Sequence, residues 1–346
     1  MLCEIESLSP VYIYQFPYWK WPIVRQCFPE SRLIFVDKVS AIVKDAYLVL
    51  WGMTPIPSGL PENVLILRIE DGFIRSVGLG ADFIKPLSWV IDTQGIYYDA
   101  TRPSDLESLC LSIEFDALML ERAAALRLKI VATNVTKYNV GTQYWQRPYD
   151  VDHVILVPGQ VESDASLAYG APLERTNMGL LRAVRLVNPE AYIVYKPHPD
   201  VLARLRLAGL NEDSANLWCD EIVTDVAMGD LLTKVDEVHL LTSLAGFEAL
   251  LRQKPVTCYG QPFYSGWGLT HDIILSTRRS RRLSLDELVA AALIMYPLYL
   301  SRDSKDLITP EQALDEMLAW QSTVKAGTPW WREVLRFFIR HFGKIK

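Results

Sequence analysis

No stretch of the 346-residue sequence approaches the roughly 20 consecutive apolar residues of a membrane-spanning helix, so a transmembrane helix is not expected. Its five cysteines, Cys3, Cys27, Cys110, Cys219 and Cys258, contain no CxxC pair and no metal-ligand spacing. That pattern argues against a disulfide scaffold or a zinc module and predicts isolated, mostly buried thiols in a reducing compartment. Base is not in excess either: 35 Lys and Arg against 41 Asp and Glu leave a net charge of −6, which argues against bulk nucleic-acid binding. The opening MLCEIESLSP carries two acids and no basic n-region, so no signal peptide is expected. There is no P-loop, no GxGxxG, no internal repeat and no low-complexity segment. Together these absences leave a cytoplasmic protein of roughly two domains.

What is present is a regular alternation of apolar runs and helical stretches. PVYIYQF, SRLIFVD, AYLVLWG, NVLILRIED and SWVIDT are β-rich, and residues 105–131 are rich in Leu, Ala, Glu and Arg and predict two helices. After the linker-like KYNVGTQYWQRPYD, a second βαβ series runs through HVILVPGQ, AYIVYKPHP, VDEVHLLTS and PVTCYGQP, with SANLWCDE as a further strand candidate. Residues 283–320 read as mostly helical. The expected fold is α/β, with two Rossmann-type doubly wound domains facing a central cleft. The expected division is 1–145, 146–295 and a C-terminal helical segment at 296–346.

Four polar stretches break this pattern, each just after an expected strand. Glu70-Asp71-Gly72, between Arg68 and Arg75, puts two carboxylates on a tight turn. Pro158-Gly159-Gln160-Val161-Glu162-Ser163-Asp164 offers a carboxylate as base or nucleophile, although Ser163 or Asp164 would also cap the helix that follows. In Lys196-Pro197-His198-Pro199 the prolines hold an ammonium and an imidazole, suited to a phosphate oxygen. Thr242-Ser243, opening a helix, favours an anion, and Glu248 one turn on can accept from ribose hydroxyls. His198 and this last stretch together form a nucleotide site in the second domain. Asp150-Val151-Asp152 precedes a strand and reads as strand-entry charge rather than a metal motif. A His, hydroxyls and a helix dipole match the single phosphodiester charge of a CMP-sugar better than a nucleoside diphosphate sugar, with no metal needed.

Base concentrates in two places, RRSRR at 278–282 and the tail. Arg332, Arg336, Arg340 and Lys344 share one helix face beside Trp330, Trp331, Leu335, Phe338, Ile339 and Phe342. The pattern suits either a helix lying on an anionic membrane or one docked on its own domain.

The motifs RIEDGFIRS, GIYYDATRPSDLE, KYN, PGQVESDAS, YKPHPDV and LTSLAGFEALLRQKPVTCYGQPFYSGWGLT, in that order over about residues 45–320, resemble those of bacterial capsule polysaccharide β-Kdo transferases of the KpsC/LipB type. The wording PGQVE-x-DAS resembles the C-terminal of that family's two glycosyltransferase modules, whereas this chain has one module. The resemblance implies a GT-B-like fold, CMP-β-Kdo as donor, no cofactor, and a Kdo-containing glycolipid acceptor at the inner membrane. It further implies retention of configuration, for which a double displacement is the simplest route. By similarity Asp164 becomes the nucleophile, with Gln160 in the same element, Glu70 or Asp71 handling the proton or steadying the intermediate, and His198-Pro199, Ser243 and Glu248 on the nucleotide side. Arg68, Arg75 or Lys137 is left to meet the carboxylate of Kdo itself. The alternatives are an inverting CMP-sugar transferase of sialyltransferase-like type, with Asp71 as base, and a non-catalytic capsule assembly or export module.

Overall fold

A computed structural model describes residues 10–77, 85–304 and 306–325. The basic tail, Cys3 and the ends of the chain lie outside them. Thirteen strands among the described residues form two sheets.

The first sheet is seeded by Val11–Tyr14 (β1), Leu33–Val36 (β2), Tyr47–Trp51 (β3) and Leu65–Asp71 (β4), all mutually parallel. A short helix, Trp21–Cys27 (α1), links β1 to β2. Ser88–Asp92 (β5) then runs antiparallel to β4. Here the all-parallel, doubly wound expectation fails, because the chain turns back at Gly72 instead of crossing over. Gly72 lies hard against the start of β5: its amide donates to the Ser88 carbonyl at 2.9 Å, and a Cβ on Gly72 would meet the Ser88 hydroxyl at 2.5 Å. Asp105–Ser112 (α2) and Ala117–Ala132 (α3) are the two expected helices, started by the Ser104 and Asp116 side chains.

The second sheet comprises Val154–Pro158 (β6), Tyr192–Lys196 (β7), Glu221–Ile222 (β8), Glu237–Leu240 (β9), Val256–Cys258 (β10) and His271–Asp272 (β11). It is wholly parallel, in the order β11-β10-β9-β6-β7-β8. This is the dinucleotide-fold order, in which successive strands depart to opposite sides from the central pair β6 and β9. Residues 212–217, overlapping the first half of the expected strand SANLWCDE, form a 3-10 turn, and only Glu221 and Ile222 pair. The helices of this half are Ala165–Gly170 (α4), Asn177–Val187 (α5), Pro199–Leu202 (α6), Met228–Lys234 (α7) and Ala245–Leu251 (α8).

The C-terminal segment departs from the helical expectation. After Leu285–Val289 (α9) and a π-helical turn at 290–295, Pro297–Leu300 (β12) and Leu307–Ile308 (β13) extend the first sheet beside β5. Pro297 is tolerated because it opens its strand. Pro310–Lys325 (α10) then packs on α3. The first lobe is therefore closed by residues some 200 positions beyond its other strands.

The two lobes are tied by the arginine cluster. Glu107 on α2, 5% exposed, accepts from Arg278 at 2.7 Å and from Arg279 at 3.2 Å, and Arg281 reaches the Ile113 carbonyl at 2.5 Å. RRSRR is thus largely an internal strap. Cys27, Cys110, Cys219 and Cys258 are buried and unpaired, as the spacing implies. No described helix is long and apolar enough to cross a membrane.

Candidate active site

A cavity of about 520 Å³ opens where the carboxyl ends of both sheets meet. Trp51 closes β3, Glu70 and Asp71 close β4, Pro158 closes β6, Lys196 closes β7, and Thr242 follows β9. Glu70, Asp71, Gln160, Asp164, Lys196, His198, Pro199, Thr242, Ser243 and Glu248 all line it, whereas Glu162 and Arg68 do not.

Its floor is the point between β6 and β9 where strand order reverses. The Gln160 amide bridges that gap in both directions: Nε2 donates to Thr242 Oγ1 at 3.1 Å, and Oε1 accepts from the Thr242 amide at 2.9 Å. The Gln160 backbone is held in turn by Asn177, at 2.9 Å to both its N–H and its carbonyl. Gln160 is therefore a clamp, engaged through both the nitrogen and the oxygen of its amide. Gly159 before it is required by close packing, since a Cβ there would stand 2.6 Å from the Tyr195 hydroxyl. Gln160→Ala is expected to cost about 1–3 kcal/mol, by loss of both bonds, and thermal melting reads it directly.

The loop after Gln160 separates its two carboxylates. Glu162 accepts from the Asn177 amide and the Leu210 amide, both at 2.8 Å, which commits both its oxygens to the scaffold. Asp164 caps α4, accepting from the Ser166 amide at 3.0 Å through Oδ1. Oδ2 takes no hydrogen bond among the described residues, and the side chain lines the cavity. Capping and an open carboxylate oxygen coexist in one residue.

Across the cavity, Glu70 Oε1 accepts from the Asp71 amide at 3.0 Å and Oε2 from the Tyr98 hydroxyl at 3.2 Å. Burial, reinforced by the charge of Asp71, pushes Glu70 up to about 7. Asp71 is instead paired with Arg75 at 2.5 Å. The two carboxylates thus differ: burial raises Glu70 towards neutrality, and Asp71 is held by an arginine.

On the second lobe, Pro199 opens the one-turn helix α6 and His198 caps it, its Nδ1 accepting from the Asp200 amide at 3.2 Å. That bond assigns the ring proton to Nε2. Burial first, and Lys137 next, lower His198 to about 4, so the imidazole is neutral at pH 7 and meets a ligand as a dipole. Lys196 differs from the expectation of a free ammonium: it is 5% exposed and its Nζ donates to the Val226 carbonyl at 2.7 Å. Ser243 accepts from the Ala245 amide at 3.2 Å, and Glu248 Oε1 accepts from the Lys137 amide at 2.6 Å, its acid raised by burial.

Of the three cations considered for a substrate carboxylate, Arg68 is turned away, donating to the Gly52 and Thr54 carbonyls. Arg75 is spent on Asp71. Lys137 lines the cavity, and no side-chain hydrogen bond or ion pair engages its ammonium among the described residues. Sequence reasoning missed Trp19, Lys20, Trp51, Tyr97, Tyr98 and Arg206. A lysine between two tryptophans and beside prolines, in YQFPYWKWP, was the available signal for the first two. Nothing in the local pattern marks Arg206, a rim cation beside His198.

These features define a class: a two-lobed α/β protein whose carboxylate-lined cleft lies at a topological switch point, where such sheets bind ligands. The chain belongs to the capsule polysaccharide biosynthesis protein family, which it matches over residues 61–118 and 115–300. It is 40% identical over 338 residues to the capsule polysaccharide modification protein LipA of Neisseria meningitidis serogroup A, covering 95% of this chain and 48% of LipA. It therefore spans about half the length of that relative. The lipopolysaccharide-processing protein LpsZ of Rhizobium meliloti is 42% identical over 299 residues, 81% of this chain and 68% of LpsZ. Two solved structures from Thermosulfurimonas dismutans KpsC are similar throughout. The β-Kdo 2,7 transferase has 39% identity and a TM-score of 0.75, covering 90% of this chain and 100% of that one. The β-Kdo 2,4 transferase has 30% identity and a TM-score of 0.77, covering 90% and 98%.

Proposed function

We propose that the chain is a retaining β-Kdo transferase of GT-B type that moves Kdo from CMP-β-Kdo to a Kdo-terminated, lipid-linked acceptor in capsule synthesis. The observation that carries this reading is the placement of Asp164, with an open carboxylate oxygen, in the cavity that also holds Glu70 and the His198–Ser243 wall. The higher identity to the 2,7 transferase favours a β-2,7 linkage over β-2,4. By this reading the enzyme works on the cytoplasmic face of the inner membrane, where its acceptor lies.

The phosphate of CMP lies against the Nε2–H of His198 and the hydroxyls of Thr242 and Ser243. Arg206 at the rim is available to its charge, and Glu248 to the ribose. Lys137 meets the carboxylate of the donor sugar. In the first step an Asp164 oxygen bonds the anomeric carbon while the bond from that carbon to the phosphate oxygen breaks, its electron pair leaving with CMP. In the second, an acceptor hydroxyl bonds the same carbon from the opposite face. The Asp164–carbon bond breaks and the hydroxyl proton passes to Glu70. Two inversions leave the β configuration. No step calls on a metal, so transfer is expected to survive EDTA.

The direct test supplies CMP-Kdo and a synthetic Kdo-terminated acceptor, with linkage and anomeric configuration read by NMR. Failure to consume CMP-Kdo, or an inverted product, overturns the reading. His198→Ala is expected to weaken CMP about tenfold, the worth of one hydrogen bond. Because His198 stays neutral above about 4, its contribution in the wild type should be flat between pH 6 and 8. Calorimetric titration of CMP checks both.

A further inference from the structure

Lys20 is 8% exposed, yet it lines the cavity between Trp19 and Trp51. Its Nζ lies 2.6 Å from the centroid of the Trp51 ring and 5.2 Å from that of Trp19. No side-chain hydrogen bond or ion pair engages this ammonium among the described residues. Aromatic faces offset only part of the cost of withdrawing such a charge from water. A buried, open ammonium on a cavity wall is therefore a half-built anion site.

Resting on the transferase reading above, we propose that Lys20, framed by Trp19 and Trp51, binds the carboxylate of an acidic acceptor sugar. Three observations select that ligand. Lys20 belongs to the first lobe, on the side of Glu70 and across the cavity from the His198–Ser243 wall. Glu70, Asp71 and Arg75 all act on it electrostatically, but Asp71 is held by Arg75 and Glu70 is raised to about 7, so the single charge of Lys20 is left for a singly charged carboxylate, which it balances better than a doubly charged phosphate. The indoles offer an apolar face of the kind on which a sugar ring stacks. An acceptor anchored there sits beside the base that takes its proton, so Lys20 would select acidic over neutral acceptors.

The test is calorimetric titration of a Kdo disaccharide methyl glycoside, and of the same compound with its carboxylates converted to carboxamides, into wild type and Lys20→Met. Methionine keeps the apolar stem and removes the charge. The expected result is a loss of about 10- to 100-fold in affinity for the acid form, the worth of one charge-assisted contact. Affinity for the carboxamide should stay within about twofold of wild type. Equal weakening of both forms marks a structural role and overturns the proposal, as does unchanged binding of the acid. Wild type that binds neither form overturns it too. Lys20-dependent binding in a protein that does not consume CMP-Kdo would sink the transferase reading and leave this one standing.

Discussion

Asp164→Asn is expected to abolish transfer, lowering its rate by at least about 10³-fold, while leaving the fold intact. The substitution separates the helix-capping role of Asp164 from its proposed role as nucleophile. Asp164 caps α4 through Oδ1, and asparagine caps helices about as well as aspartate, so stability should change by less than about 0.5 kcal/mol. What asparagine lacks is the carboxylate oxygen that attacks the sugar in the proposed step. Asp164→Ala loses both functions, and its extra cost of about 1 kcal/mol should appear as a lower melting temperature. Wild type given donor alone should gain the mass of one Kdo on Asp164, and the Asn variant should not. A variant that retains a substantial part of the wild-type rate would remove Asp164 from the chemistry.

Glu70→Gln carries the second large effect. Loss of a general base typically costs about 10²- to 10⁴-fold in turnover. The wild-type rate should rise with pH through about 7, as Glu70 gives up its proton and can take one from the acceptor. The glutamine variant should lack that limb. Stability moves the other way. The folded-state value of Glu70 lies above the ordinary 4.5, so the folded protein holds this proton more tightly than the unfolded chain. The resulting stabilisation is present below about 4.5 and is lost as pH rises through about 7. At pH 8 a neutral glutamine avoids the penalty of a buried carboxylate, on the order of 3 kcal/mol. The variant should therefore melt higher than wild type at pH 8 while being nearly inactive. A lower melting point at pH 8, or an unchanged pH limb, would show that burial does not hold Glu70 as described.

The first five strands, α2, α3 and the strand cores of β6, β7, β9 and β10 were legible because β-rich apolar runs and capping residues are local signals. The polar stretches at the strand ends were legible for a similar reason. Gly, Pro and clustered side chains break an apolar rhythm where the chain leaves a sheet. Asp164 could not be chosen over Glu162 by chemistry alone, since both are carboxylates on one loop. The two amides that occupy Glu162 come from Asn177 and Leu210, remote positions that no local pattern reveals. The return of residues 297–308 to the first sheet was missed for the same reason. A four-residue strand beginning at a proline has little signal until its partner β5, some 200 residues earlier, is in place.

By itself, then, the sequence determined that the chain is α/β, that its polar groups gather at strand ends, and which motifs relate it to a family. Those properties depend on neighbours within a few residues. Tertiary structure alone decided that Gln160 is a clamp, that Lys196 braces a carbonyl, and that Glu70 is raised by burial while Asp71 is paired with Arg75. It also decided that Lys20 reaches the cavity. Burial and pairing set the state of an ionisable group, and both arise only when segments far apart in the chain are brought into contact.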